Sequence, residues 1–546
     1  MKTTLGVFVA ILASAIFAGT LCGQPATQPA ASPASQPFGG RFTVGKDTTY
    51  ILGPLAADGT VDYVAALDKE ASEGVTPKNN AYVLILEALG VDSIGMDIRA
   101  KTLVRLGFGR GKEKFPDGGP NVVPLRDFLK SQSVTDFKAI DRTTSDLSEK
   151  AAKCPWRKAD FPLLADWLMT NEKPLAKLVE ASCRLRFYFP AVSPDKPGQS
   201  AMIYVMLPSL QQFMRVGEMF AARAMLRLSD GDLDGAWADL MADHRLGCLM
   251  CQSSLLITQM VGVYIRHQAF QGMRWVSSDN RLTAAQARKF LAELSVAAPD
   301  PKAFVRACRA ERYFGLSCIE GVMTSPDPSS ELSAVTGVLD EKRDPKKSPR
   351  RINLDWDEAM RMVNPVYDKI VDAAAKSNWR QRLAALEEWE EEFVRSEKGT
   401  PKINPIQLEV ERLFNPKLAG RHLGELFRSI LIPAVRMAAA QTAKRDEDWQ
   451  LVQVALALAA HKAEKGKFPE KLADLSPAYI KAVPSDEFTG LPLKYSRTEA
   501  GYLLYSVGPN RIDDGGVEDL KAKPEKDDIA ISVPLSPQPA AGTQRD

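Results

Sequence analysis

Near the end of the chain, the stretch GYLLYSVGPNRIDDGG, Gly501 to Gly516, stops a strand-like run in a turn and sets Asp513 and Asp514 beside two glycines. A second acidic pair, Asp527 and Asp528, follows. Three chemistries fit adjacent carboxylates on a glycine-rich loop: a hard cation held by carboxylate and carbonyl oxygens, an acid/base couple, or a tight corner with solvated carboxylates. No nucleophile, base or third catalytic group stands beside the stretch, which makes the catalytic option the weakest of the three.

His244, Cys248 and Cys251 stand at i, i+4 and i+7, so one helical face would present all three. A zinc site needs about three or four ligands. No second CxxC or HxxxH supplies a missing one, and the remaining histidines are His267, His422 and His461. Packing of this face into a core is therefore the expected role. CLMC also lacks the strand-then-helix setting of a thioredoxin-like motif. Gly107-Phe108-Gly109-Arg110-Gly111-Lys112 has the wrong spacing for a phosphate loop, and Glu113 stands where a Ser or Thr would bind Mg²⁺. HExxH and GxSxG are both absent from the sequence. Nothing in these motifs argues positively for an enzyme.

The elements that must position these residues are mostly helical. TTYILGPL, Thr48 to Leu55, reads as a short strand; VDYVAALDKEASEG has helical spacing closed by Gly74, and AYVLILEALG, Ala81 to Gly90, reads as a second helix. Gly107 to Pro120 is a loop by its Gly and Pro content. Helical patterns dominate from about Phe161 to Gln441. Within them, Arg215 to Met250 reads as an αα-hairpin: one helix ends near Ser229-Asp230-Gly231-Asp232, a second begins at Leu233, and Ala221, Ala224, Leu228, Ala236 and Leu240 suit close packing. This hairpin looks like one tetratricopeptide-type unit without a second copy, so an irregular helical domain is expected rather than a repeat array. Charged, Pro-containing residues 325–351 read as an exposed loop. The segment WRQRLAALEEWEEEFVRSEKG follows as an amphipathic helix with Leu383, Leu386, Trp389 and Phe393 on one side.

Bulk composition sets outer bounds. The 546 residues, 45% hydrophobic and 25% charged, are ordinary for globular proteins, and the length suggests roughly two to four domains. With 70 Lys+Arg against 68 Asp+Glu the chain has no electrostatic footprint for nucleic acid. MKTT followed by the apolar run Leu5 to Leu21 reads as an export signal, residues 1–23. An uncleaved anchor is a lesser alternative, because the run is slightly short for a span of roughly 20 residues and small residues follow it, and so is lipidation at Cys22, because Gly19-Thr20-Leu21-Cys22 departs from lipobox chemistry. Residues 24–40 form a Pro/Ala/Ser-rich linker, and residues 536–546 a flexible tail. Six further cysteines permit disulfides in an exported chain, but Cys183, Cys308 and Cys318 sit in helical patterns and are expected as small buried hydrophobes.

From about Asp448 the pattern changes. An apolar helix from Trp449 turns charged at His461-Lys462 and stops at Gly466, with Pro469 beyond. Runs Leu493 to Arg497 and Tyr502 to Val507 flank Thr498-Glu499-Ala500-Gly501 as an antiparallel hairpin, and Asp527 to Leu535 supplies a third strand. The order helix, KFPEKLADL, AYIKAVPSDEFTGLPLKY, GYLLYSVGPN, DDGG and DDI resembles the C-terminal domain of the major pseudopilin of bacterial type II secretion systems, over residues 448–535. The rest resembles uncharacterised exported bacterial proteins. Pseudopilins place their stem at the extreme N-terminus, whereas here the module is C-terminal. The resemblance implies a Ca²⁺ site in the loop after the YS strand, with Asp513, Asp514, Asp527 and Asp528 in the corresponding acidic segments, although VEDLKAKPEK intervenes. Such a site would be structural, tying the tail to the hairpin.

The expected protein is thus α+β and mainly α: an irregular helical domain over 41–447, then a small helix-plus-antiparallel-sheet module over 448–535. Its expected role is an exported structural or interaction protein, periplasmic or at the cell surface, with protein partners in the envelope, no nucleic acid, and no membrane span apart from the signal segment. The alternative is an exported hydrolase with an active site in the helical domain.

Overall fold

Helix starts are written into single residues. Asp62, Asn80, Asp136, Asp232, Thr283 and Asp355 each accept a backbone N–H two or three positions on, satisfying donors that a first turn leaves without partners. A computed structural model describes residues 42–109, 114–116, 119–192, 202, 210–325, 354–397 and 415–535. The signal segment with Cys22, the 24–40 linker, residues 326–351 of the expected loop, Arg110 to Glu113 and the 536–546 tail lie outside these residues.

The chain is mainly helical with a small antiparallel sheet near its C-terminus. The first helices are α1 (Tyr63–Ser72), α2 (Ala81–Leu89), α3 (Met96–Arg105), α4 (Leu125–Ser131), α5 (Phe137–Asp146), α6 (Pro162–Thr170) and α7 (Glu172–Ser182). Then come α8 (Leu210–Ser229), α9 (Leu233–Met250), α10 (Leu256–Ser278), α11 (Ala284–Val296), α12 (Ala303–Thr324), α13 (Trp356–Ala374), α14 (Trp379–Glu397) and α15 (Pro416–Lys465).

Two sequence expectations need correction. Thr48 to Leu55 is not a strand: Thr48 and Tyr50 N–H groups both turn back to the Gly45 carbonyl, and only a single bridge, Leu55 to Val61, forms. The Thr49 hydroxyl lies 2.9 Å from the Ile51 carbonyl and satisfies it locally, the competition by which threonine diverts backbone from a ladder. Cys183 is exposed rather than buried, because α7 ends at Ser182 and the helical face no longer governs the next side chain. Cys308 and Cys318 are buried, and all six described cysteines are free thiols.

Helices α8 and α9 form the expected hairpin. Gly231 turns with φ of 88°, and Asp232 caps α9 through the Gly235 N–H at 2.8 Å. Inside it, buried Arg223 grips Asp239 through Nε and Nη2 at 2.9 and 2.5 Å, and Arg227 adds a contact at 2.9 Å. Helix α9 then crosses α10 where Gly247 meets Gly262.

Helix α15 is 50 residues long, roughly 75 Å at 1.5 Å per residue, and it joins body to module without a break at Asp448. It packs against α10, α11 and α13 and against two strands of the C-terminal sheet, Tyr502–Ser506 and Ile529–Val533. Gly466 ends it in the left-handed region, φ 74°, with its N–H on the Lys462 carbonyl at 2.8 Å. The sheet has the order β1 (Lys494–Arg497), β2 (Tyr502–Ser506), β5 (Ile529–Val533), all antiparallel. Tyr502, Leu504 and Ser506 alternate inward on β2, opposite Val533, Ile531 and Ile529 on β5. So small a sheet needs a packing partner. Its inner face joins the apolar core of the helices, which extends without interruption to Leu504, Ile529 and Ile531. The minor pair β3 (Glu518–Asp519) and β4 (Lys526–Asp527) closes the loop between β2 and β5.

The join is electrostatic as well as apolar. Five consecutive charged residues, Lys444 to Asp448, occupy one stretch of α15, and all but Asp446 are buried. Arg266 of α10 bonds Asp446 at 2.8 Å and the Arg445 carbonyl at 3.2 Å. Trp379 of α14 donates to Asp446 at 2.7 Å. Arg445 pairs with Asp448 at 2.7 Å and contacts His267, while Arg274 also holds Asp448. Glu447 accepts the Glu487 N–H from the module at 2.7 Å. Buried ions of this kind stand only when each has a partner.

Candidate metal centre in the aspartate loop

The loop that follows β2 begins at Gly508, where φ is 70° and a Cβ would fall 2.2 Å from the Asp527 carbonyl oxygen. Only glycine allows that approach. Asn510 then acts as a bridge. Its backbone N–H reaches Asp527 Oδ1 at 3.3 Å, and its Nδ2 reaches Asp514 Oδ2 and the Glu525 carbonyl, each at 3.2 Å. Asp528 receives two loop N–H groups on one oxygen, Oδ2: Asp514 at 3.1 Å and Gly516 at 2.7 Å. Its other oxygen, Oδ1, is buried without a hydrogen-bond partner. Gly516, at φ 80°, lies against Leu503 of β2, with a Cβ position 3.0 Å from its Cδ1.

The four aspartates therefore do not behave alike. Asp514, Asp527 and Asp528 are linked through Asn510 and the loop backbone. Asp513 points instead to the sheet, where Tyr505 donates to Oδ1 at 2.9 Å and Lys494 sits 3.0 Å from Oδ2. Those contacts, Lys494 first, hold the Asp513 carboxyl below its usual range. Burial pushes Asp528 the other way, with the charges of Asp514 and Asp513 adding to the rise and the two N–H groups opposing it. Burial likewise raises Asp527, against the pull of Lys444, whose Nζ stands 3.9 Å from Oδ2. Two raised carboxyls and an unpartnered oxygen are what a hard cation would relieve, since carboxylates and carbonyls are its preferred donors. The fit is partial: among the described residues no three His, Cys, Asp or Glu side chains converge as a ligand set.

Comparison supplies no relative to decide the matter. No family model, curated protein or solved structure matches this chain.

Asn510 and Asp486 are the residues that motif reading missed. Asp486 is a buried carboxylate taking N–H groups from Phe488 at 2.9 Å, Thr489 at 2.8 Å and Val507 at 3.0 Å, and so fixes the turn before β1 to the end of β2. An Asp two or three residues ahead of the N–H groups it binds is a local turn signal; the third bond, to Val507, has no local signature.

The His/Cys face is core. His244 is fully buried, its Nε2 lies 2.8 Å from the Ala297 carbonyl, and its ring packs 5.1 Å from that of Phe270. Burial, helped by Arg266, pushes its pKa down to about 3, so the imidazole is neutral and Nε2 carries the proton donated to Ala297. Cys248 Sγ is 3.6 Å from His244 Nε2, and Cys251 Sγ faces the Gln259 carbonyl at 3.8 Å. Burial raises both thiols, Cys248 to about 11 and Cys251 to about 12, which keeps them protonated and unreactive.

Proposed function

We propose that this chain is an exported structural or interaction protein of a bacterial envelope, with an irregular helical body that includes one tetratricopeptide-like hairpin and a pseudopilin-like C-terminal module. Its aspartate loop holds Ca²⁺ in a structural role. The observation that supports the ion is Asp528: one oxygen gathers the Asp514 and Gly516 N–H groups, and the other is buried with no partner. Asp528 would bind the ion through its unpartnered oxygen, with Asp514, Asp527 and loop carbonyls closing in to complete the shell and Asp513 at its margin. The ion supplies positive charge that fixes residues 508–528 to the hairpin. The apolar run Leu5 to Leu21 supports export, and no described helix is long and apolar enough to cross a membrane.

The hydrolase reading draws on two acids of α12, Glu311 raised to about 7 and Glu320 raised to about 8, both chiefly by burial. They stand nine positions apart in one helix, hence about 13.5 Å along its axis and half a turn around it. That spacing does not make an acid/base couple, so the structural reading is preferred. Thermal melting of the purified chain with Ca²⁺ and with chelator tests the ion, and affinity recovery of envelope partners under both conditions tests the role.

A further inference from the structure

The seam between body and module forms an open cleft of about 740 Å³, a volume within the range of small-ligand sites. Its floor is apolar: Leu291 of α11, Trp449 of α15, and Ile480 and Pro484 of the turn that leads to β1. Two lining side chains are held by bonds of their own. Trp449 Nε1 donates to the Leu294 carbonyl at 3.1 Å, which fixes the indole by its edge. Arg288, at one end, is occupied by Glu464 at 2.9 Å, by the Ala478 carbonyl at 2.9 Å and by the Tyr479 ring, 4.5 Å from its centroid.

Two polar groups of the lining have unused capacity. Gln450 gives its amide N–H to Glu487, while its Oε1 is buried without a donor. Lys481 is exposed at the rim, and among the described residues its ammonium has no hydrogen-bond or ion-pair partner. An apolar floor beside one free cation selects a ligand with an apolar body and one negative end: the body is removed from water, and the charge is paired at the rim where desolvation is small.

We propose that this cleft is a binding site for a small amphiphilic monocarboxylate, its chain lying on Leu291, Trp449, Ile480 and Pro484 and its carboxylate on Lys481. The site uses no residue of the aspartate loop, so binding persists in chelator, and the ion reading can fail without it.

Decanoate and decanol, matched in chain length and differing in charge, are the probes, titrated calorimetrically into the full chain. Decanoate should bind with an affinity that falls as salt rises, and Lys481→Ala should weaken it about fivefold, equivalent to roughly 1 kcal/mol, while leaving decanol unchanged. Ala292→Trp, a change at an exposed position of the lining, should abolish binding of both probes, and Ala482→Trp provides an independent block at a second exposed lining position. Melting of each variant without ligand checks folding. Absence of binding at millimolar decanoate, equal binding by wild type and Lys481→Ala, or decanoate binding that survives both tryptophan variants would each overturn the proposal.

Discussion

Gly247 of α9 and Gly262 of α10 face each other so closely that a methyl group on either would lie 2.7 and 2.5 Å, respectively, from the other's carbonyl oxygen. Arg266 Cγ lies 2.6 Å from the Gly247 Cβ position and Cys251 Sγ 3.0 Å from that of Gly262. The helices therefore touch backbone to backbone. Alanine at either site gains about 1 kcal/mol of helix propensity but forces the crossing apart. We expect Gly262→Ala to destabilise the protein by about 1–3 kcal/mol, as overpacking does, read from the urea midpoint. A neutral or stabilised variant would show that the crossing yields easily.

The aspartate loop gives a contrast between neighbours. Saturating Ca²⁺, at about 100 times its dissociation constant, should add roughly 2.7 kcal/mol and raise the melting temperature, and chelator should reverse the gain. Asp528→Ala should lose most of this response, whereas Asp513→Ala, which removes a carboxylate committed to Lys494 and Tyr505, should keep most of it. Equal responses from both variants and wild type would refute ion binding by this loop.

Asp448 sits fully buried between Arg274 and Arg445. Its replacement by Ala leaves buried Arg445 and part-buried Arg274 short of a counter-charge, and breaking a buried pair typically costs about 3–5 kcal/mol. Replacement by Asn should cost less, because the amide oxygen still accepts a hydrogen bond. Denaturant unfolding of the two variants measures the difference, and equal losses would mean that charge at this site contributes little.

Glu320 should make stability depend on pH. Burial raises it to about 8, with Asp58 adding to the rise and the Val61 N–H, at 3.5 Å from Oε1, opposing it. The native state therefore keeps a proton that the unfolded chain releases near the ordinary glutamate value of about 4.3. Between those values the native state binds more protons, so this group's contribution is greatest in acid and is lost as pH rises toward 8. Glu320→Gln should flatten that part of the profile and be the more stable protein at pH 8, by on the order of a few kcal/mol. Parallel wild-type and variant profiles would contradict a protonated Glu320.

Local chemistry was legible in the sequence where the signal lay within a few residues. The turn at Ser229-Asp230-Gly231-Asp232 divides two helices, Gly466 ends α15, and the alternation of Tyr502, Leu504 and Ser506 matches a strand with one buried face. The Lys444 to Asp448 belt was not legible, because its partners Arg266 and Arg274 lie more than 170 positions away, and a run of charges reads as surface until such partners are placed. Within the loop, Asp528 takes the Asp514 N–H from fourteen positions away, a contact that the two acidic pairs alone do not specify. The turning of Asp513 toward Lys494 depends on strand register, which no local signal fixes.

The unbroken course of α15 through Asp448 restricts how this C-terminal module can be gained, lost or exchanged. Had the parts been joined by a flexible tether, a residue inserted between them would matter little. Here one extra residue between Arg445 and Trp449 would rotate everything beyond it by about 100° and advance it by about 1.5 Å, taking Trp449 and the sheet out of phase with the body. A whole-turn step of about 7 residues would restore the rotation but advance the module by about 10.5 Å, past Leu294 and Arg288, so length variation in the chain should concentrate away from this junction.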